Sequence, residues 1–123
     1  MKFLCLAYEE QAVLDALTPE EWDALRRETL EYVEGLRSQA KLIDTHPLQS
    51  ASTASTVRVR SGRSSITDGP FAETKEQLGG YFLIEAADAA EALRIAADWP
   101  SARFGAIEVR PVEEELRAER RYR

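Results

Sequence analysis

Two short stretches of this sequence are apolar on both of their faces, and that property constrains the fold more than any other. In KFLCLAY (2–8), Phe3, Cys5 and Ala7 point one way and Leu4, Leu6 and Tyr8 the other, before Glu9 and Glu10 end the run. GYFLIE (80–85) alternates in the same manner. A strand that is half solvated alternates apolar with polar residues, so a strand apolar on both sides belongs in the middle of a sheet. The two runs are therefore expected to be central strands. At 123 residues the chain has room for one such domain, expected over 1–112 with a charged tail over 113–123.

The segments between them supply the rest. Thr18-Pro19-Glu20-Glu21 combines an N-cap threonine, a proline at the first helical position and a glutamate at the third, a capping box. Trp22, Leu25, Thr29, Val33, Leu36 and Ala40 then recur at helical spacing, predicting a helix over 19–39. From Lys41 to Thr56 the pattern weakens: Leu42 and Ile43 suit a strand, whereas Pro47 and the Ser/Thr/Ala run after it suit a loop that also holds His46. Two alternating segments flank Ser61-Gly62-Arg63, which predicts a β-hairpin. Asp88, with Glu91 three positions on, caps a second helix that ends before Trp99-Pro100, and a half-buried strand follows from Phe104 to Val112. The order β-α-β(hairpin)-β-α-β is a split β-α-β arrangement, which makes the two doubly apolar strands central neighbours. The predicted fold is a ferredoxin-like α+β sandwich with an inserted hairpin.

Two helices cover one face of such a sheet. The apolar residues of the other face need cover, and a patch of that size marks an interface or a ligand site. A homodimer joined through the open sheet face is expected.

Composition excludes several classes. Acids outnumber bases by 22 to 16, a poor match for the phosphate backbone of nucleic acids. One cysteine and one histidine cannot build a structural zinc site or an internal disulfide, and no apolar run reaches the length of a membrane helix. There is no phosphate-binding or dinucleotide-binding fingerprint. The N-terminus reads as a strand rather than a signal peptide, which together with the rest suggests a cytoplasmic protein needing no metal or cofactor. Cys5 reads as a core or interface residue, and both tryptophans as packing residues. Charge is unevenly distributed, however: residues 46–72 carry three arginines against one aspartate. Arg58, Arg60 and Arg63 suit either a small anion or, more simply, the solvent side of a half-exposed strand.

Asp68-Gly69-Pro70-Phe71-Ala72-Glu73-Thr74-Lys75-Glu76-Gln77-Leu78-Gly79-Gly80 is the stretch richest in chemistry. Proline fixes φ and glycine frees it, so the segment leaves one strand and joins the next abruptly, with acids and a lysine between. Such a loop can hold acid and base groups over a cavity mouth. The plainer reading is a well-made connection whose Asp68 caps backbone amides and whose Lys75 pairs with an acid.

SITDGPFAETKEQLGGYFLIE, together with the upstream TASTVRVRSGR and the downstream IEVRPV, resembles the YCII-related proteins, specifically their DGPF-domain branch. The resemblance runs from the N-terminus to about Val112. It implies the dimeric α+β barrel type of ferredoxin-like fold, a superfamily that hosts cofactor-free lyases, isomerases and oxygenases of small molecules, and a link to extracytoplasmic-function sigma factors. It carries Asp68 over as a candidate acid or base and Lys75 as a candidate polarising group. Tyr8, Arg58, Phe71, Glu76 and Tyr81 are candidate ligand contacts. A His–Asp pair is proposed in the YciI-like branch, in a pocket between sheet and helices. Here Pro19-Glu20-Glu21-Trp22 stands where its histidine would be, and His46 reads as a loop residue. Two functions stay open: a cofactor-independent acid–base enzyme, and a non-catalytic small-molecule-binding or regulatory dimer.

Overall fold

A computed structural model describes residues 1–114; the charged tail expected from 113 lies outside them except for Glu113 and Glu114. The chain runs β1 (Lys2–Glu10), α1 (Gln11–Asp15), α2 (Pro19–Ser38), β2 (Leu42–Pro47), β3 (Ser55–Arg60), β4 (Arg63–Asp68), β5 (Glu76–Glu85), α3 (Ala89–Asp98) and β6 (Gly105–Pro111). Short 3-10 turns occupy Ala51–Thr53 and Pro100–Phe104. Four strands form an antiparallel sheet in the order β2-β5-β1-β6, while β3 and β4 pair only with each other. This is the ferredoxin-like α+β fold, and its central pair is the one the doubly apolar runs predicted.

The capping box at the start of α2 is complete: the Thr18 hydroxyl accepts from the Glu21 amide at 3.1 Å, and the Glu21 carboxylate accepts from the Thr18 amide at 3.0 Å. The helix buries Leu25, Val33 and Leu36 against the sheet. At α3 the Asp88 carboxylate accepts from the Glu91 amide at 2.8 Å. Phe3, Cys5, Phe82 and Ile84 form the floor of the core, with Ala92, Ile95 and Ala96 of α3 above. The Phe82 and Trp99 rings stack at 3.8 Å, nearly parallel, and Tyr32 meets Trp99 edge-on. Such pairs add about 0.5–1.5 kcal/mol beyond their area. Tyr32 also donates its hydroxyl to the Ile95 carbonyl at 2.7 Å, tying α2 to α3. Arg103 grips Glu28 through two hydrogen bonds of 2.7 and 2.8 Å. No helix among the described residues is long and apolar enough to cross a membrane.

Three features depart from the sequence expectation. His46 is not in a loop: Leu42–Pro47 is the edge strand of the main sheet, with His46 opposite Tyr81 and Pro47 opposite Gly80. Proline is tolerated there because an edge strand needs hydrogen bonds on one side only. Next, β5 begins at Glu76, four residues before the apolar run. Finally, the hairpin stands apart from the sheet and turns its valines outward, leaving Val57 and Val59 exposed while Arg58 is half-buried. Arg58 alone is drawn in; Arg60 and Arg63 stay exposed, as on a solvent-facing strand.

The second face of the sheet carries Leu4, Leu6, Tyr8, Leu78, Tyr81 and Leu83 in cross-strand pairs, with no helix over them. Glu108 and Arg110, opposite Leu6 and Leu4, form an ion pair at its rim.

Candidate functional site

A glycine shapes the opening between the sheet and the helices. The pairing of β1 with β5 slips by one residue after Ala7: Ala7 faces Gly80, Tyr8 faces Leu78, and Gly79 is left over as a bulge. Alternation from Phe3 and Cys5 brings Ala7 and then Glu9 to the helix side of the sheet. There the Glu9 side chain crosses Gly79 so closely that its Cγ, Cδ and Oε1 fill the place a Gly79 Cβ would need. Gly80 is constrained too, since a Cβ there would sit 3.1 Å from the His46 carbonyl.

Glu9 thereby becomes the acidic wall of a cavity of about 540 Å³ between the sheet and the first two helices. Its other walls are mainly apolar: Leu14 of α1, Trp22 and Leu25 of α2, and the stacked Phe82 and Trp99. Thr29, Thr45 and Arg26 add a few polar groups. Arg26 also lies 3.2 Å from Asp23. Loss of water around Glu9 pushes its carboxyl above the usual carboxylate range. A cavity of this size with few convergent polar groups and one perturbed acid has the character of a small-molecule site. Trp22, expected to pack, stands partly open at this cavity. Trp99 is buried as expected.

On the other side of the sheet the edge strand builds a separate polar cluster. The Tyr81 hydroxyl donates to Asp44 Oδ2 at 2.8 Å, and His46 Nε2 lies 3.2 Å from Asp44 Oδ1. The Tyr81 hydrogen bond, with smaller help from His46, holds the Asp44 carboxyl below its ordinary range, and the same bond raises the Tyr81 phenol. A histidine and an aspartate thus do meet, two residues apart on one strand. Thr45 between them faces the helix side opposite Phe82, so His46 borders the cavity while its imidazole turns to Asp44.

The other predicted residues scatter. Tyr8, Phe71 and Glu76 line a second opening of about 500 Å³, which lies between the 48–54 segment and the DGPF loop. Arg58 sits 5.5 Å over the Phe71 ring. Gly69, at φ +110°, turns the chain out of the hairpin; its amide donates to the Ala54 carbonyl at 2.7 Å, and its carbonyl accepts from the Thr56 hydroxyl at 2.9 Å. Within the loop, Gln77 donates to the Ala72 and Thr74 carbonyls, both at 2.8 Å. Asp68 pairs with Ser55 at the hairpin base. It is exposed, as is Lys75, and neither lines either opening. The DGPF motif is thus a self-bonded connection. The acid that sequence reasoning missed is Glu9, which reads as a strand terminator until Gly79-Gly80 is placed across from it. Among the described residues no group of three or more His, Cys, Asp and Glu side chains could hold a metal ion.

Comparison with known proteins agrees with this architecture. The family model of the YCII-related domain matches residues 1–116. The uncharacterized protein R00369 of Rhizobium meliloti (strain 1021) is 36% identical over 114 residues, covering 91% of this chain and 92% of its own length. Among solved structures, 5-chloro-2-hydroxyhydroquinone dehydrochlorinase (TftG) from Burkholderia phenoliruptrix AC1100, in complex with 2,5-dihydroxybenzoquinone, superposes with a TM-score of 0.55 at 18% identity, covering 94% of this chain and 96% of that one. That likeness is one of fold alone.

Proposed function

This chain belongs to the YCII-related domain family, and we propose that it binds a small, largely apolar organic compound between sheet and helices and acts on it by cofactor-independent acid–base chemistry, with Glu9 as the proton-transferring group. The observation that carries this reading is a desolvated carboxyl on the wall of an apolar, aromatic-floored cavity. Burial raises the Glu9 carboxyl and so favours its protonated form more than at an exposed acid, which suits it to exchange a proton with a bound compound. The Phe82–Trp99 stack offers a flat surface for a ring, and Arg26 a charge for an anionic substituent. Asp68 and Lys75 lie outside this cavity, so the reading rests on Glu9 rather than on them.

The same reading includes a homodimer closed through the open sheet face, supported by the uncovered leucines and tyrosines there. Light scattering should give twice 13.8 kDa at micromolar concentration.

The structural relative's bound quinone suggests a first probe. Titration calorimetry with 2,5-dihydroxybenzoquinone and a panel of hydroxylated aromatic acids should find a binder, displaced when Trp22 is replaced by alanine. Glu9→Gln should keep binding and lose turnover. Equal turnover in Glu9→Gln would reject the acid–base role and favour a binding module. Failure of the whole panel to bind would reject the site.

A further inference from the structure

The β3–β4 hairpin presents solvent with the side of itself that ought to be covered. Val57, Val59 and Ile66 share one face, Val57 directly opposite Ile66, and are 60%, 59% and 70% exposed. Its other face holds the arginines, with Arg58 drawn over Phe71. A polar strand borrowing solvent as its partner would show the arginines and hide the valines. This one shows its apolar face as well, and of the arginines only Arg58 is drawn in. The ribbon makes no hydrogen-bonded ladder with the main sheet, and a two-stranded ribbon by itself is marginal in water.

We propose that this valine–isoleucine face is a dimerisation arm, packing on a second copy of the same chain; the proposal rests on the homodimer reading above and extends it. Two observations select the occupant. One is charge: the chain carries −6, the hairpin residues 55–68 contribute +2, and everything else therefore sums to −8. A basic arm is drawn to the acidic body of another copy. The other is continuity. The groove at the arm's root is lined by Tyr8 and Leu78, which belong to the open sheet face, and by Ala54 and Phe71 where the arm begins. Apolar residues thus link the open face, through the groove, to the base of the arm. A copy that covers the sheet is led onto the hairpin, and two-fold symmetry makes the embrace mutual.

The test compares the dimer dissociation constants of three full-length chains by sedimentation over a concentration series. Val57→Asp/Ile66→Asp alters only exposed positions of the arm, and Leu6→Lys alters the open sheet face. Wild type should be a dimer. The arm variant should weaken it at least about tenfold with an unchanged circular dichroism spectrum, and added salt should weaken the wild type. An arm variant within twofold of wild type, where Leu6→Lys dissociates, would overturn the arm and keep the sheet interface. An arm variant that weakens a dimer untouched by Leu6→Lys would support the arm and reject the sheet face. A monomeric wild type would overturn both. If the arm variant fails to fold, amide exchange of wild-type residues 57–66 decides: protection that vanishes on dilution supports the arm, and fast exchange at every concentration overturns it.

Discussion

Replacing Gly79 with alanine tests the candidate site without touching a charged group. The added Cβ would fall where the Glu9 Cγ, Cδ and Oε1 now lie, so the carboxylate must swing off the strand. Two opposing effects set the size of the change. Overpacking costs about 1–3 kcal/mol, while alanine is preferred over glycine inside a strand by about 0.5–1 kcal/mol. Gly79 has no left-handed φ to complicate the exchange. The net cost is then about 0–2.5 kcal/mol. In a Glu9→Ala background the collision is gone, and the same substitution should instead stabilise by about 0.5–1 kcal/mol. Urea unfolding of the four proteins gives the coupling directly, expected at about 1–3 kcal/mol. A coupling below about 0.3 kcal/mol would show that Glu9 does not occupy the space above Gly79, and the cavity's acidic wall would go with it. Gly105→Ala is the control. Its Cβ would strike the Tyr8 carbonyl, backbone that cannot swing aside, so it should cost more and gain no relief from Glu9→Ala.

Three further outcomes follow from the same structure. Because burial raises the Glu9 carboxyl, its contribution to stability is fully present below the unfolded carboxylate pKa and is lost as pH rises through the folded value; Glu9→Gln should therefore match wild type in urea at low pH and become the more stable protein as pH rises past that range. Cys5, its thiol pushed up to about 12 by burial, should resist a thiol reagent in the native state at pH 8 and react fully in urea; rapid native labelling would contradict its place in the core. Tyr32→Phe removes the hydrogen bond to the Ile95 carbonyl and should cost about 0.5–1.5 kcal/mol by chemical denaturation; no loss would mean that the bond does not hold α2 to α3.

How much of this was legible beforehand depends on the range over which each feature is determined. The start of α2 is written in four adjacent residues, Thr18 to Glu21, and the helix ends at Ser38, one residue from its expected limit. The doubly apolar runs located the sheet centre because burial on two sides leaves a mark in the run itself. The edge strand Leu42–Pro47 leaves no such mark: a bulge near Ile43 breaks its alternation, and Asp44 and His46 are polar by design of one face only. Glu9 was illegible for a different reason. Its role is set by a residue seventy positions later that has no side chain, and a missing atom is a weak signal. Asp68 stands in a conspicuous motif, yet where its side chain lies depends on the turn that Gly69 makes, and that places it outside both openings.

The bulge at Gly79 has a consequence for how this chain can change length. One extra residue puts the two halves of β5 out of phase: Tyr81 and Leu83 share the open face with Leu78 only because Gly79 is skipped. Inserting one residue between Leu78 and Gly79 would turn Leu78 toward the helices and rotate the whole DGPF loop half a turn with it. The hairpin tip, where Ser61 and Gly62 close a two-residue turn, has no such phase to keep. Insertions should therefore be absorbed at the tip of the arm and rejected at its root, so that the arm can lengthen while the direction in which it leaves the sheet stays fixed.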